Sequence, residues 1–328
     1  MALTRSRASG PPLSPLHRVA RQVCRWCCLT EASTRTSAML RILIVFVLWT
    51  RWGDELLMYH EATWGWRALT GSFFVFTSLM LVGLWSRLSG LIVAAIVGSL
   101  VFYRGVHLGH EPWTHHHTYF LAYATILIAL APIGRSLSVD RWLALKREQR
   151  GGPPAPPERA NIWALRLLCL QVCTMYLWSA IDKTNAGFLS GTRMAGYFLE
   201  FYIIDYPGAW FDVLCLVLGV STVVLEYALA VGLLFDRTRL FVMVPGIVMH
   251  GVFYALLPVK TFTATVWVAY LACLDPDAVE RALARMLDKP SRASRASRLR
   301  GPARWSEPTH EIDLSANEPV VHASRPVA

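Results

Sequence analysis

The sequence predicts an all-α fold: a polytopic integral membrane helical bundle of about eight transmembrane helices. Three observations carry that expectation. Only 16% of the 328 residues are charged and 54% are hydrophobic, with a mean hydropathy of +0.39, whereas soluble domains average about 25% charged residues. The apolar residues fall in runs of membrane-spanning length, separated by short charged knots. Those runs lack the alternating polarity that a membrane β-barrel needs. The net charge of +10 does not indicate nucleic acid, because the arginines gather in tails and short loops, as topology signals do.

Residues 1–37 are rich in Arg, Ser and Pro with Glu31 as the only acid, a composition that resembles a transit peptide and equally suits a basic disordered cytoplasmic tail. No short apolar core followed by a small-residue cleavage site is present, so a cleaved signal peptide is not expected. The first span covers residues 38–58 and reads as the weakest, being interrupted by Arg41 and by the charged residues 51–55. Trp64 and Trp66 form an interfacial pair before the second span. Spans two and three, residues 70–85 and 88–103, make a tight hairpin with Arg87 at its tip, and the fourth follows at 117–133. Residues 134–161 are basic and rich in Pro and Gly, the best internal linker in the chain. The remaining spans are 162–181, 210–235, 238–257 and 261–274, with a short interfacial helix around 194–202 and a turn at Pro258. An amphipathic basic helix from Glu280 leads into a disordered tail over 286–328, leaving 38–285 as the transmembrane domain.

Eight spans place the N-terminal tail, Arg87, the 134–161 connector, the Asp236-Arg237 turn and the C-terminal tail on one side. Their arginine and lysine excess makes that side the cytoplasm of a cell (inner) membrane, with both termini inside. The seven cysteines suggest neither a disulfide framework nor a metal site. Most lie inside spans as small apolar residues, and the Cys24/Cys27 pair lacks the second pair a zinc site needs.

Two polar concentrations then share the outer face. One is the exit of the fifth span, at Lys183. A lysine there is either a snorkelling anchor or a base in a dry pocket. The other is the set His107, His110, His115, His116 and His117. Three successive histidines cannot face one ion on a helix, so a titratable loop is the plainer reading, but His117 begins an apolar helix and is placed to point into the bundle as acid, base or donor. Within the spans, Arg166, Glu226 and His250 are ionisable groups at depth, which implies partners or a polar cavity. Glu226 has no cation near it in sequence, so its partner must come from another helix.

The order of these residues resembles a known family, the HTTM (horizontally transferred transmembrane) domain proteins, and the membrane domain of vitamin K-dependent gamma-glutamyl carboxylase. His117-Thr118-Tyr119 looks like the family's His-x-Tyr. Ser138-Val139-Asp140, Leu165-Arg166, Gln171, Ser179-Ala180-Ile181-Asp182-Lys183, Phe188, Gly191, the aromatic stretch Tyr197 to Tyr202, Leu225-Glu226, Phe235-Asp236 and His250 continue the likeness over roughly residues 38–285. The resemblance implies a catalytic lysine base at Lys183, with His117 hydrogen-bonding the developing anion. It implies His250, Arg166, Glu226 and Tyr119 as substrate-binding residues and a reduced quinone, a vitamin K-like hydroquinone, as the cofactor. Asp182 stands where the carboxylases carry a second lysine, and an acid there favours the charged ammonium. No segment corresponds to the carboxylase's large extramembrane domain, so carboxylation of a tethered protein glutamate is not expected, and the resemblance implies a carboxylase-like or quinol-oxidising enzyme acting on a quinol or other lipid-soluble substrate. The partners are the lipid bilayer and a lipid-soluble small molecule. A non-catalytic membrane protein, serving as a partner, immunity or small-molecule-binding component, is the alternative.

Overall fold

The computed structural model describes residues 15–58, 63–203, 205–257 and 259–287, and the described residues up to Ala284 form one compact unit. In chain order these are α1 (Pro15–Cys28), β1 (Glu31–Ser33), α2 (Arg35–Met58), α3 (Trp64–Val82) and α4 (Ser86–Leu100), which runs on as a π-helical segment, Val101–His107. Next come α5 (Glu111–Thr114), α6 (His116–Leu130), α7 (Val139–Gln149), β2 (Arg159–Asn161), α8 (Trp163–Lys183), α9 (Ala186–Leu189) and α10 (Thr192–Phe201). The last four helices are α11 (Ala209–Gly232), α12 (Asp236–Leu256), α13 (Lys260–Cys273) and α14 (Pro276–Leu287).

Among the described residues six helices are long and apolar enough to cross a membrane: α2, α3, α4 with its π-helical extension, α8, α11 and α12. Their uninterrupted hydropathy leaves little alternative, since a helix satisfies every internal backbone group within itself. Two shorter helices complete the bundle. α6 has 15 residues and packs on α4, α8, α2 and α13, while α13 has 14 and packs on α2, α8 and α12. α13 thereby stands inside the bundle, which is why Val266, Ala269, Tyr270 and Cys273 are buried.

Three expectations are corrected. The first span has the lowest hydropathy of the six, but its charged residues do not interrupt it: α2 is a continuous 24-residue helix and the most buried of them. Hydropathy counts Arg41 against a span, but its fully buried guanidinium donates to the Ile133 carbonyl at 2.9 Å and the Leu137 carbonyl at 2.6 Å. Arg51 pairs with Glu55 one turn further on at 3.2 Å. Residues 134–161 are not a free linker, for they hold α7 and β2. The Asp140 carboxylate accepts from the Trp85 and Ser86 backbone amides and the Ser86 hydroxyl at 2.9, 2.7 and 2.7 Å, capping the N-terminus of α4 with the charge its dipole favours. Gly83 turns the chain between α3 and α4 at φ 73°, and a Cβ there would sit 2.1 Å from Arg41 Nη1, so only glycine fits.

The third correction concerns the N-terminal tail. Residues 15–37 contain α1 and β1, and β1 pairs antiparallel with β2 through Glu31–Asn161, Ala32–Ala160 and Ser33–Arg159. The arginine-rich composition concealed an amphipathic helix whose Trp26 ring lies 4.8 Å from the Arg166 guanidinium. The rest of the tail expectation, residues 1–14 and 288–328, lies outside the described residues, as do residues 59–62 and Pro258.

This α1 end of the bundle is stitched by ion pairs. Arg159 meets Asp277 at 3.0 Å, and Arg35 meets Glu158 at 3.2 Å and Glu280 at 3.5 Å. Asp277 also accepts from the Ser33 amide at 3.0 Å. The Arg159 hydrogen bond, helped by the Ser33 amide, holds the Asp277 carboxyl below the ordinary carboxylate range despite partial burial.

Candidate functional site

At the opposite end, α8 carries Tyr176, Ser179 and Lys183, three polar residues spaced by three and four. That spacing stacks them on one face of the helix, and the face meets α11. Glu226 comes from α11 and is buried. Lys183 Nζ donates to Glu226 Oε1 at 2.9 Å and Oε2 at 3.1 Å, and also to the Ser179 hydroxyl. Ser179 Oγ in turn donates to Glu226 Oε1 at 3.0 Å. A carboxylate with a 4% exposed side chain thus has its cation supplied by another helix, as depth demanded. Asp182, the adjacent acid, makes no ion pair with Lys183, so the carboxylate that governs this lysine is Glu226.

One turn deeper lies a second buried network. The Tyr176 hydroxyl bonds His250 Nε2 at 2.7 Å and the Tyr270 hydroxyl at 2.5 Å, joining α8, α12 and α13. His250 Nδ1 has no hydrogen-bond partner among the described residues. The His250 ring lies edge-on to Phe253 and Phe262, each at 5.6 Å between centroids.

Above the Lys183–Glu226 pair opens a cavity of about 320 Å³. Lys183, Asp182, Asn185 and Arg193 supply its polar wall, and Phe188, Tyr197, Phe253 and Phe262 its aromatic one. The chain returns over this cavity through α9 and α10. Gly191 makes that return possible, with φ 79° and a backbone approach to α11 so close that a Cβ would lie 2.4 Å from the Leu216 nitrogen.

The structure therefore treats the six sequence candidates differently. Lys183 and Glu226 meet directly, and His250 lies a layer beneath them, behind two of the cavity's aromatic walls. His117, on α6, does not line the cavity, though its ring lies 6.4 Å from that of Phe262, which does. The His117 ring is stacked at 5.0 Å on His115. Tyr119 is half-buried against the core, away from the cavity lining. Arg166 lies on α8 roughly 25 Å from Lys183, at about 1.5 Å per residue, and belongs to the α1 end. Ser179, Tyr176, Tyr270 and Phe262 were not singled out as site residues by sequence. The helical spacing of Tyr176, Ser179 and Lys183 was the available signal, whereas nothing in sequence relates Tyr270 or Phe262 to Lys183.

No curated protein and no solved structure matches the chain. A family model described as the HTTM domain matches residues 55–277, a segment that begins in the last turn of α2, ends in the first turn of α14, and holds the Lys183–Glu226 pair, its cavity and both histidines. With six membrane-spanning helices around that segment, the chain is an integral membrane protein and belongs to the HTTM family.

Proposed function

We propose that this protein is a membrane enzyme that oxidises a reduced quinone with dioxygen as the two-electron acceptor, with Lys183 as its base and Glu226 as the store for the proton. The observation that carries the reading is Lys183, which lines an aromatic-walled cavity and is bonded outside that lining to Glu226 and Ser179. The residues present fit a hydroquinone: Phe188, Tyr197, Phe253 and Phe262 offer flat faces for a ring, and Lys183, which lines the cavity, reaches an entering oxygen by exchanging one of its contacts to Ser179 or Glu226. A bound hydroquinone would supply an acidic hydroxyl and the two electrons that dioxygen takes up.

The resting contacts favour an ammonium at Lys183, which cannot accept a proton. Glu226 resolves this. Its Oε1, 2.9 Å from Nζ, can take the lysine's proton, leaving a neutral amine and a neutral acid. A closed, poorly hydrated site favours that neutral pair over two desolvated charges. The Lys183 Nζ then accepts a proton from a hydroxyl placed in the cavity, and Ser179 holds Glu226 in position. The arginine-rich α1 end supports placing that end and both termini in the cytoplasm, with α6 and α13 as the seventh and eighth crossings of a cell membrane.

A second reading rests on the same contacts. Lys183 is fully engaged by Glu226 and Ser179, and such a pair also serves to lock α8 to α11 in a non-catalytic binding protein. The test is oxidation of a reduced menaquinone analogue in nanodiscs, followed by quinone absorbance. The enzyme reading expects Lys183→Met to lower the rate at least about 100-fold while the protein still folds. An undiminished rate in Lys183→Met, or no oxidation of any quinol by the wild type, favours the binding protein.

A further inference from the structure

Next to the Lys183 cavity is a second one of about 250 Å³, walled by α10, α11 and α12 and almost wholly apolar. Met194, Tyr197, Phe253 and Leu257 line both cavities. The two therefore share a wall, and we infer that they are ends of one cleft, polar at Lys183 and apolar beyond it. The apolar part follows α12 from Pro245 to Leu257, a length of about 18 Å at helical rise.

Its open side faces sideways. The Tyr202 hydroxyl donates to the Leu256 carbonyl and ties the end of α10 to the end of α12. Lower down, Val248 and Val252 line the slot yet are 61% and 45% exposed. They stand on a helix apolar enough to cross the membrane. What they are exposed to is therefore hydrocarbon, and the slot opens between α11 and α12 into the bilayer.

The charges at the polar end restrict what the slot holds. Lys183 is offset by Glu226, and Arg193 and Asp182 add one charge of each sign to the cavity wall. An ionised head would meet no net opposite charge to offset its desolvation. The apolar slot itself does not favour a chain over the bilayer, since lipid tails are equally apolar. Occupancy is decided by hydrogen bonds at the head.

We propose that this cleft admits, sideways from the bilayer, an amphiphile with one long hydrocarbon chain and an uncharged, hydrogen-bonding head. The chain lies along Pro245 to Leu257 and the head at Lys183. The inference deepens the proposed function, since it rests on reading the Lys183 cavity as the head site.

Photolabelling of the full chain in nanodiscs tests it, with diazirine-bearing hexadecanol and diazirine-bearing palmitate as probes and labelled peptides read by mass spectrometry. Ser221→Trp and Val252→Trp each fill the slot from an exposed wall position. Val224→Trp, on the exposed face of α11 but off the slot, is the control. Hexadecanol is expected to label the α11 and α12 walls and to lose about fivefold or more of that labelling in both slot variants, but not in the control; a fivefold change is about 1 kcal/mol. Equal labelling in slot and control variants would show ordinary boundary lipid and overturn the proposal. Palmitate labelling the slot as strongly as hexadecanol would overturn the uncharged head. Labelling needs no turnover, so it separates the two readings. Retained slot labelling in Lys183→Met, with quinol oxidation absent even from the wild type, supports the slot while sinking the enzyme. Wild-type quinol oxidation in Ser221→Trp and Val252→Trp sinks the slot while sparing the enzyme.

Discussion

The two ends of the bundle use charge in opposite ways. At the α1 end, Arg41, Asp140 and Asp277 each tie together segments far apart in sequence: Arg41 binds the turn after α6, Asp140 caps α4, and Asp277 joins β1 to β2. None of Arg41, Asp140 and Asp277 lines the Lys183 cavity, the apolar one beside α12 or the one at Trp66. At the other end Lys183 pairs with the buried Glu226 and also lines a cavity. A polar group that is saturated on every side can only stabilise. One that is saturated on one side and open on the other can also act on something that enters, and that asymmetry separates scaffold from site.

The comparison breaks most visibly at Arg41. Arg41→Met leaves two buried carbonyls without donors, and a loss of about 3 kcal/mol or more is expected, seen as a lower thermal unfolding midpoint in detergent. Quinol oxidation by the surviving folded protein should stay near the wild-type rate. A large catalytic defect in the folded fraction would show that the two ends are not separable.

Next in size is the pair at Lys183. Lys183→Met strands the Glu226 carboxylate and should cost about 3 kcal/mol. Adding Glu226→Leu should return most of that stability, because a packed apolar pair replaces a buried ionic one, yet catalysis should remain absent. Recovery of both stability and turnover in the double variant would rule out the lysine base.

Tyr176→Phe lies between the two regimes. It removes the hydroxyl that joins His250 to Tyr270 and should cost about 1–3 kcal/mol, measurable in the same unfolding assay. An unchanged midpoint would mean that the network contributes nothing to stability.

The smallest effect belongs to Asp277. Its folded carboxyl titrates below its unfolded value, so its contribution is full above about pH 4. It is lost as the pH falls through the lowered value. For a pair this exposed the contribution should stay under about 1 kcal/mol. Asp277→Asn should flatten the acid limb of a stability profile, and an unaltered limb would remove Arg159–Asp277 from the account.

Much of the architecture was legible because hydrocarbon imposes simple rules. Long apolar runs become helices, and arginines collect at one end of them. Gly83, with its positive φ, marks the hairpin expected at Arg87. Sequence rules failed where a polar side chain is satisfied by a distant partner. Arg41 looked like an interruption because the carbonyls it binds lie some ninety residues away. α7 looked like linker because the role of Asp140 depends on the N-terminus of α4. Of the site, Lys183 stood out as a lysine at the exit of a span and Glu226 as an isolated charge at depth, but their pairing did not.

The sequence by itself determined that the chain is a helical membrane protein, roughly where its helices run, and which few ionisable groups had to be explained, because burial of charge in hydrocarbon is costly wherever it occurs. Only the tertiary structure decided that Glu226 rather than Asp182 is the partner of Lys183, that Phe262 but not His117 lines the cavity, and that an apolar cavity shares a wall with it. Those facts depend on how α8, α11, α12 and α13 are rotated against one another, and helix rotation is set by packing between residues distant in the chain rather than by any local pattern.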